Sequence, residues 1–363
     1  MILASAGQEC RTKWEFVLNR ILVDIDKERF APGDRFYTVR ELAGKYGVSI
    51  ITAQRVFQEL SARRMIVTNG RAGSIVVGES AAQTVYLCLR DEHFSDAMHL
   101  GRFRTIDGFL SGFRLGVDGA FADVKPISLN FLMRDFEVFR DQALLICGSA
   151  FLNVSAEGPV IDHGRVDAIR EALNPIVFFG YRGLEGLTQV NGDHEAGMRQ
   201  VVAHLAGRHE RIGLLTGDPR SVWYRSRLQG YVDGMLDHGL RFQPEWIRIT
   251  DVNDKAATFQ ALDALFDGPE RPTALVCGND QRALQVLEFA AKRGLSVPDN
   301  LAVTGFDNVP EAALCRPALT TLDGQDAVAG RRAAELLWKR SRGLLKAPVT
   351  LRIEPKLIVR EST

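Results

Sequence analysis

The chain has 363 residues, 25% of them charged and 46% hydrophobic, the balance of a globular protein with room for two or three domains. Lys/Arg and Asp/Glu both number 45, and no apolar run approaches the ~20 residues that span a bilayer, so neither a polyionic chain nor a membrane span is expected. The start MILASAGQECRTKWEF lacks a basic-then-apolar secretory pattern. Cys10, Cys88, Cys147, Cys277 and Cys315 make no CxxC pair and are odd in number, which predicts a reduced, cytoplasmic setting.

Residues 1–11 read as a flexible tail. From Thr12 to about Arg29, Trp14, Val17, Leu18, Ile21, Leu22 and Ile25 recur at three- and four-residue spacing, one face of a helix. Ala31-Pro-Gly-Asp ends it by turn chemistry. A second helix is predicted over Val39–Tyr46, burying Val39, Leu42 and Ala43 and stopping at Gly47. A third runs from Ile50 to about Arg64, capped by Ser49 and burying Ala53, Val56, Phe57 and Leu60. Met65–Thr68 and Ser74–Val77 read as a β-ribbon around the Gly-rich tip NGRAGS. Residues 12–78 thus predict a winged helix-turn-helix, a shape that lays one helix in a DNA major groove. Residues 1–78 hold twelve Lys/Arg against eight Asp/Glu, and the excess suits phosphate contact.

Ser49, Thr52, Gln54 and Arg55, near the start of the third helix, supply hydroxyl, amide and guanidinium groups for base edges, since Gln pairs with adenine and Arg with guanine. Arg40 and Lys45 are placed to hold phosphates, and Arg71 at the wing tip is placed for a minor groove. PGDRF, RELA, GVS, Thr52, the Leu60 region and the glycine-rich wing resemble the winged-helix head of the GntR family of bacterial transcription regulators over roughly residues 12–77. Ile50 stands where that family usually has a basic residue. Tyr37-Thr-Val-Arg replaces its usual Pro-Ser before Glu-Arg. Both departures alter the operator expected.

Residues 79–83 read as a linker. After Thr84, buried-type strands alternate with helical stretches: VYLCL, PISLNFL, ALLICG, PIVFFG, RIGLLTG, TALVCG and LAVTGF. Runs apolar on both faces and ending near Gly predict a parallel α/β body. The cycle occurs on both sides of about residue 188, which predicts two similar lobes.

VNGDHEAGMRQVVAHLAGRHERIGLLTGD, RSRLQGYVDGM, GNDQRAL, VPDNLAVTGFDN and RPALTTLDGQ resemble the LacI-type sensor domain across residues 84–363, more closely in the second half. The whole chain resembles an arabinose-repressor-like arrangement of a GntR-type head on a LacI-type body. That resemblance implies an α/β, periplasmic-binding-protein-like fold closing on a small sugar- or nucleoside-like effector. It places lobe 1 at about 84–188 and 323–345 and lobe 2 at about 189–320 and 346–363, with crossings near 187–190, 318–323 and 343–348. It implies that Asp280 and Arg227 grip the ligand, as carboxylate and guanidinium do by paired, charge-assisted hydrogen bonds. Helix capping by Asp280 and a surface salt bridge by Arg227 are the structural alternatives. Ser221, Trp223 and Arg225 share the loop of Arg227, and Arg90, Asp91 and Phe94 follow the first body strand, so all six are further effector candidates. Asp307 reads as fixing a turn near the hinge. Gly180 stands where some sugar-binding relatives carry an aspartate.

Against an enzyme, the seven histidines form no HExxH or paired metal spacing, and GxSxG, GxxxxGK[ST] and a strand-linked GxGxxG are missing. His209 reads as a capping or packing side chain. No cofactor, metal or catalytic residue is expected. The reading is a cytoplasmic homodimeric regulator, a repressor of carbohydrate-related genes, on palindromic double-stranded operator DNA. The alternative is a winged-helix scaffold whose body mediates dimerisation or protein contact without sensing.

Overall fold

The computed structural model describes residues 13–26, 30, 34–62, 65–68, 74–76, 84–89, 104–119, 121, 123–140, 142–147, 152–155, 158–173, 175–180, 186–268 and 270–363. The chain falls into two compact units, residues 1–83 with 338–346 and residues 84–337 with 347–363.

The first unit holds α1 (Lys13–Asp26), α2 (Val39–Tyr46), α3 (Ile50–Ala62) and the antiparallel pair β1 (Ile66–Thr68) and β2 (Ser74–Val76). Thr38 starts α2 with a capping box: its side chain accepts from Glu41 N while the Glu41 carboxylate accepts from Thr38 N. Gly47 ends α2 in the left-handed region at φ 61°. Ser49 Oγ accepts from Thr52 N at 3.1 Å and opens α3 two residues later. Residues 34–36 extend the ribbon, with Phe36 N donating to Ser74 O at 2.7 Å and Val76 N to Asp34 O at 2.8 Å. Val17, Leu18, Ile21, Phe36, Leu42, Val56, Leu60 and Ile66 form the core. Val39 and Phe57, expected inside, are half-buried at its rim.

The second unit contains two six-stranded sheets. The first is ordered β15-β9-β8-β5-β3-β4, from β3 (Val85–Leu89), β4 (Val124–Ser128), β5 (Ala143–Cys147), β8 (Ile176–Phe179), β9 (Gln189–Gly192) and β15 (Thr350–Ile353), all parallel. The second is ordered β11-β10-β12-β13-β14-β16, from β10 (Ile212–Thr216), β11 (Ile247–Ile249), β12 (Ala274–Cys277), β13 (Ala302–Phe306), β14 (Thr320–Asp323) and β16 (Lys356–Ile358). Here only β16 runs antiparallel to its neighbour. A separate hairpin pairs β6 (Leu152–Ser155) with β7 (Gly158–Ile161). Every residue of β5, β10, β12 and β13 is buried, as their unbroken apolar runs require, and each large side chain there contributes roughly 1.5–3 kcal/mol.

Two of the three crossings between the sheets fall elsewhere than the sequence placed them. β9 still pairs with β8, so the chain leaves the first sheet after Gly192 rather than at 187–190, and enters α8 (His194–Ala206), which packs on the second. It returns after Asp323 into α13 (Asp326–Ser341). β15 belongs to the first sheet and β16 to the second, so the third crossing lies at 354–355, not 343–348. The lobe ranges therefore shift: residues 189–192 and 350–353 join the first lobe. The reason is register. Gln189–Gly192 and Thr350–Ile353 pair residue for residue, which holds both at the edge of the first sheet.

Candidate functional site

In the first unit the solvent face of α3 presents Ile51, Gln54, Arg55 and Gln58, all exposed. Ser49 and Thr52 use their hydroxyls on each other at 2.9 Å as part of the cap, so of the predicted base readers they are the two already engaged. Arg55 lies over the Trp14 ring at 4.5 Å, which orients its guanidinium. Ile51 is 78% exposed, an apolar group on a face otherwise built for hydrogen bonds, and sequence reasoning missed it. Arg40 is exposed at the start of α2, and Lys45 donates to the Tyr37 hydroxyl with its ammonium 4.3 Å from that ring's centroid. Arg71 lies outside the described residues.

In the second unit a cleft of about 430 Å³ opens between the sheets, at the carboxyl ends of β3, β5, β8 and β13. This is where open α/β sheets take ligands. Leu89, Phe109, Cys147 and Phe179 line its first-sheet side, and Phe109 stacks on Phe179 with centroids 4.3 Å apart. The second-sheet side carries Ser221, Trp223, Tyr224, Arg227, Phe306 and Asp307, with His194, Asp326 and Pro355 at the crossings.

Arg227 projects from α9 (Val222–Asp237) and is only 7% exposed. It donates to His194 Nδ1 at 3.2 Å, to the Gly278 carbonyl, and to Asp307 Oδ1 at 3.1 Å, while its guanidinium lies 3.7 Å over the Phe306 ring. It is thus a buried cleft residue and not a surface ion pair. His194 stacks on the same Phe306 ring, 5.1 Å between centroids. Accepting from Arg227 fixes His194 with Nδ1 unprotonated. Tyr224 is held by Arg282, which donates to its hydroxyl at 2.9 Å and to Thr250 O at 2.6 Å.

Asp280 does not reach the cleft. It is fully buried at the start of α11 (Asp280–Lys292), and its carboxylate accepts from Val309 N at 2.8 Å and from the Thr321 hydroxyl. A Cβ on Gly305 would sit 2.1 Å from its Oδ1, so the missing side chain at 305 makes the space the carboxylate fills. Nor does Asp280 cap the helix; Asn279 does, accepting from Arg282 N at 3.1 Å. Burial pushes the Asp280 carboxyl up to about 7 despite those two donors. The aspartates that line the cleft are Asp307, which the sequence assigned to a turn, and Asp326. The backbone of Asp307 has φ 108°, and burial raises its pKa against the pull of Arg227.

Ser221 and Trp223 line the cleft, the latter 38% exposed. Arg225 is exposed outside the lining and donates to Pro219 O at 3.2 Å. Arg90, Asp91 and Phe94 lie outside the described residues. His194, Tyr224, Asp307 and Asp326 were missed; the one signal for Asp307 was its place straight after an apolar strand. His209 Nδ1 meets Thr273 Oγ1 at 3.1 Å, a packing role. Among the described residues no group of three His, Cys, Asp or Glu could hold a metal ion, and no helix is long and apolar enough to cross a membrane.

Comparison with known proteins follows the same division. Residues 13–76 match the family described as bacterial regulatory proteins, gntR family, and residues 202–363 match the periplasmic binding protein-like domain. The chain thus joins a GntR-type winged-helix head to a periplasmic-binding-protein-like body. The HTH-type transcriptional repressor CytR of Escherichia coli K12 is 35% identical over 155 residues, 43% of this chain and 45% of that protein. The chain therefore spans about half the length of the curated relatives it matches. A LacI-family regulatory protein from Chloroflexus aggregans superposes with a TM-score of 0.64 at 25% identity, over 78% of this chain and 99% of that one. A transcriptional regulator CelR–cellobiose complex superposes at 0.63 and 22% identity, over 90% of this chain and all of the other, a likeness of fold.

Proposed function

We propose that this chain is an effector-responsive transcription regulator, a cytoplasmic repressor of carbohydrate-related genes that binds palindromic operator DNA as a homodimer. One observation carries the reading. A buried guanidinium–carboxylate pair, Arg227 and Asp307, faces a cleft walled by aromatic rings, in a chain that also presents the polar face of a capped helix. Aromatic rings take the apolar face of a sugar, and the ion pair takes its hydroxyls. The relative CytR, a transcriptional repressor, and the similarly folded regulator solved with cellobiose support the same reading.

On DNA, Gln54 and Arg55 read base edges, Ile51 meets a thymine methyl, and Arg40 and Lys45 hold phosphates. Two copies place two such helices about one DNA turn apart. Ligand closing the cleft alters the body and thereby the operator affinity.

The test has two arms. Duplex DNA selected by the purified chain from a random pool should show a palindromic consensus. Gln54→Ala should relax one base preference at a cost of roughly 1–3 kcal/mol, whereas Arg40→Ala should weaken all sites alike. A thermal-shift screen of sugars should find a ligand that raises the melting temperature, with the shift lost in Arg227→Ala. Failure to bind any duplex at low salt would sink the proposal.

A further inference from the structure

The loop that carries Asp307 is held in strained backbone. Asp307 and Asn308 follow β13 with φ 108° and 48°, two successive residues with side chains in a region that favours glycine. Such backbone persists only where its surroundings fix it. Here all three residues of the loop are fixed. Asp307 N donates to Leu322 O at 2.8 Å, and Val309 N donates to the buried Asp280 carboxylate at 2.8 Å. Asn308 is held by its side chain: Nδ2 donates to Asp323 Oδ2 at 3.0 Å, and Oδ1 accepts from Arg360 at 2.8 Å. Arg360 also donates to Leu319 O at 2.7 Å, which fixes it to the second sheet.

The far end of this clamp is a crossing between the lobes. Asp323 ends β14 of the second sheet, and its other oxygen accepts from Gln325 N at 2.8 Å. Gln325 takes φ 57°, and α13 begins at the next residue. That helix is seated on the first lobe. A Cβ on Gly112 of α4 (Arg104–Leu115) would lie 2.0 Å from Ala327 O, and Phe109 of the same helix stacks on Phe179 of the first sheet. The change of lobe is thus confined to Gly324 and Gln325, a short stretch between elements of the kind that absorbs the dihedral change of a hinge. One carboxylate, Asp323, binds both the Asp307 loop and this bend.

We propose that Asn308 is a positioning residue: through Asp323 it ties the loop bearing Asp307 to the Gly324–Gln325 bend, so that the cleft ion pair and the angle between the lobes change together. Asn308 is outside the cleft lining and acts through its neighbours. A ligand drawn onto Asp307 then turns the bend instead of shifting one loop. That consequence rests on the cleft being the effector site; the coupling between loop and bend does not.

Hydrogen–deuterium exchange of the full chain, without ligand, tests the coupling by a side-chain swap. Asn308→Asp keeps an acceptor for Arg360 and a residue type that tolerates positive φ, but sets a carboxylate against that of Asp323. Adding Asp323→Asn restores the bond with donor and acceptor exchanged and leaves an oxygen for Gln325 N. In Asn308→Asp, amide exchange should quicken about tenfold or more in both 303–309 and 323–329, the scale of one lost hydrogen bond to a charged group, with β10 and β12 unchanged. The swap should return both segments to the native rate. Quickened exchange at 303–309 alone, no change in either segment, or rescue of only one overturns the proposal. Should Asn308→Asp loosen β10 and β12 as well, Asn308→Gly, which keeps the backbone and drops the amide, must quicken both segments or the proposal fails. A cleft that takes no sugar in the thermal-shift screen sinks the effector reading and leaves this coupling standing.

Discussion

Asp280 sits in the protein interior, ion-paired to no cation among the described residues and held by a hydroxyl and one backbone N–H. Its folded pKa, about 7, lies above the ordinary carboxylate value, so the folded chain keeps a proton that the unfolded chain releases. The contribution is fully present below about pH 4 and is lost as pH rises through about 7. Asp326 and Asp307 shift in the same direction. The urea midpoint should therefore fall between pH 5 and pH 8. Asp280→Asn, neutral at every pH and able to accept from Val309 N while its amide donates to the Thr321 hydroxyl, should flatten part of that slope and gain on the order of 2 kcal/mol at pH 8. An unchanged slope would show that the carboxyl is not the group responsible. The same residue shows where sequence reading fails. Asn279-Asp280 and Asp307-Asn308 both follow an apolar strand, and nothing in either dipeptide says which carboxylate turns inward. The answer lies in Gly305 and Thr321, 25 and 41 residues away in sequence, which form the space and the donor that Asp280 occupies. Arg227 was named through the resemblance of RSRLQG to the LacI-type sensor and was placed in a loop; the structure puts it on α9, facing the cleft.

At the scale of elements, helix ends in the first unit were legible because their signals are local. Thr38 with Glu41 and the left-handed Gly47 each act within four residues. Two of the three crossings were not, because strand ownership depends on pairing between residues 161 positions apart, as for Gln189 and Thr350. Some elements meet only because side chains are missing. A Cβ on Gly330 would lie 1.9 Å from Phe109 O, and one on Gly112 would lie 2.0 Å from Ala327 O, so α4 and α13 touch backbone to backbone. Gly330→Ala improves intrinsic helix propensity by about 1 kcal/mol yet forces the two helices apart. It should therefore destabilise the body by roughly 1–3 kcal/mol net in chemical denaturation and shift Phe109 at the cleft wall. A stabilised variant would refute the close packing.

For the whole molecule, linkage constrains how head and body communicate whatever path the signal takes. If effector changes operator affinity by some factor, operator must change effector affinity by the same factor, typically 5–150-fold. Calorimetric titration of effector with and without saturating operator should return the factor that gel shifts give for the reverse experiment. Unequal factors would mean that the two ligands do not act on one equilibrium. The arrangement of strands has a further consequence. Residues 350–358 close the exposed rim of both sheets, the first through β15 and the second through β16, with only Glu354 and Pro355 between them. Neither lobe is finished during synthesis until this stretch has been made. A ribosome-bound body that stalls short of it would display two bare strand borders at once, ready to join those of neighbouring nascent chains.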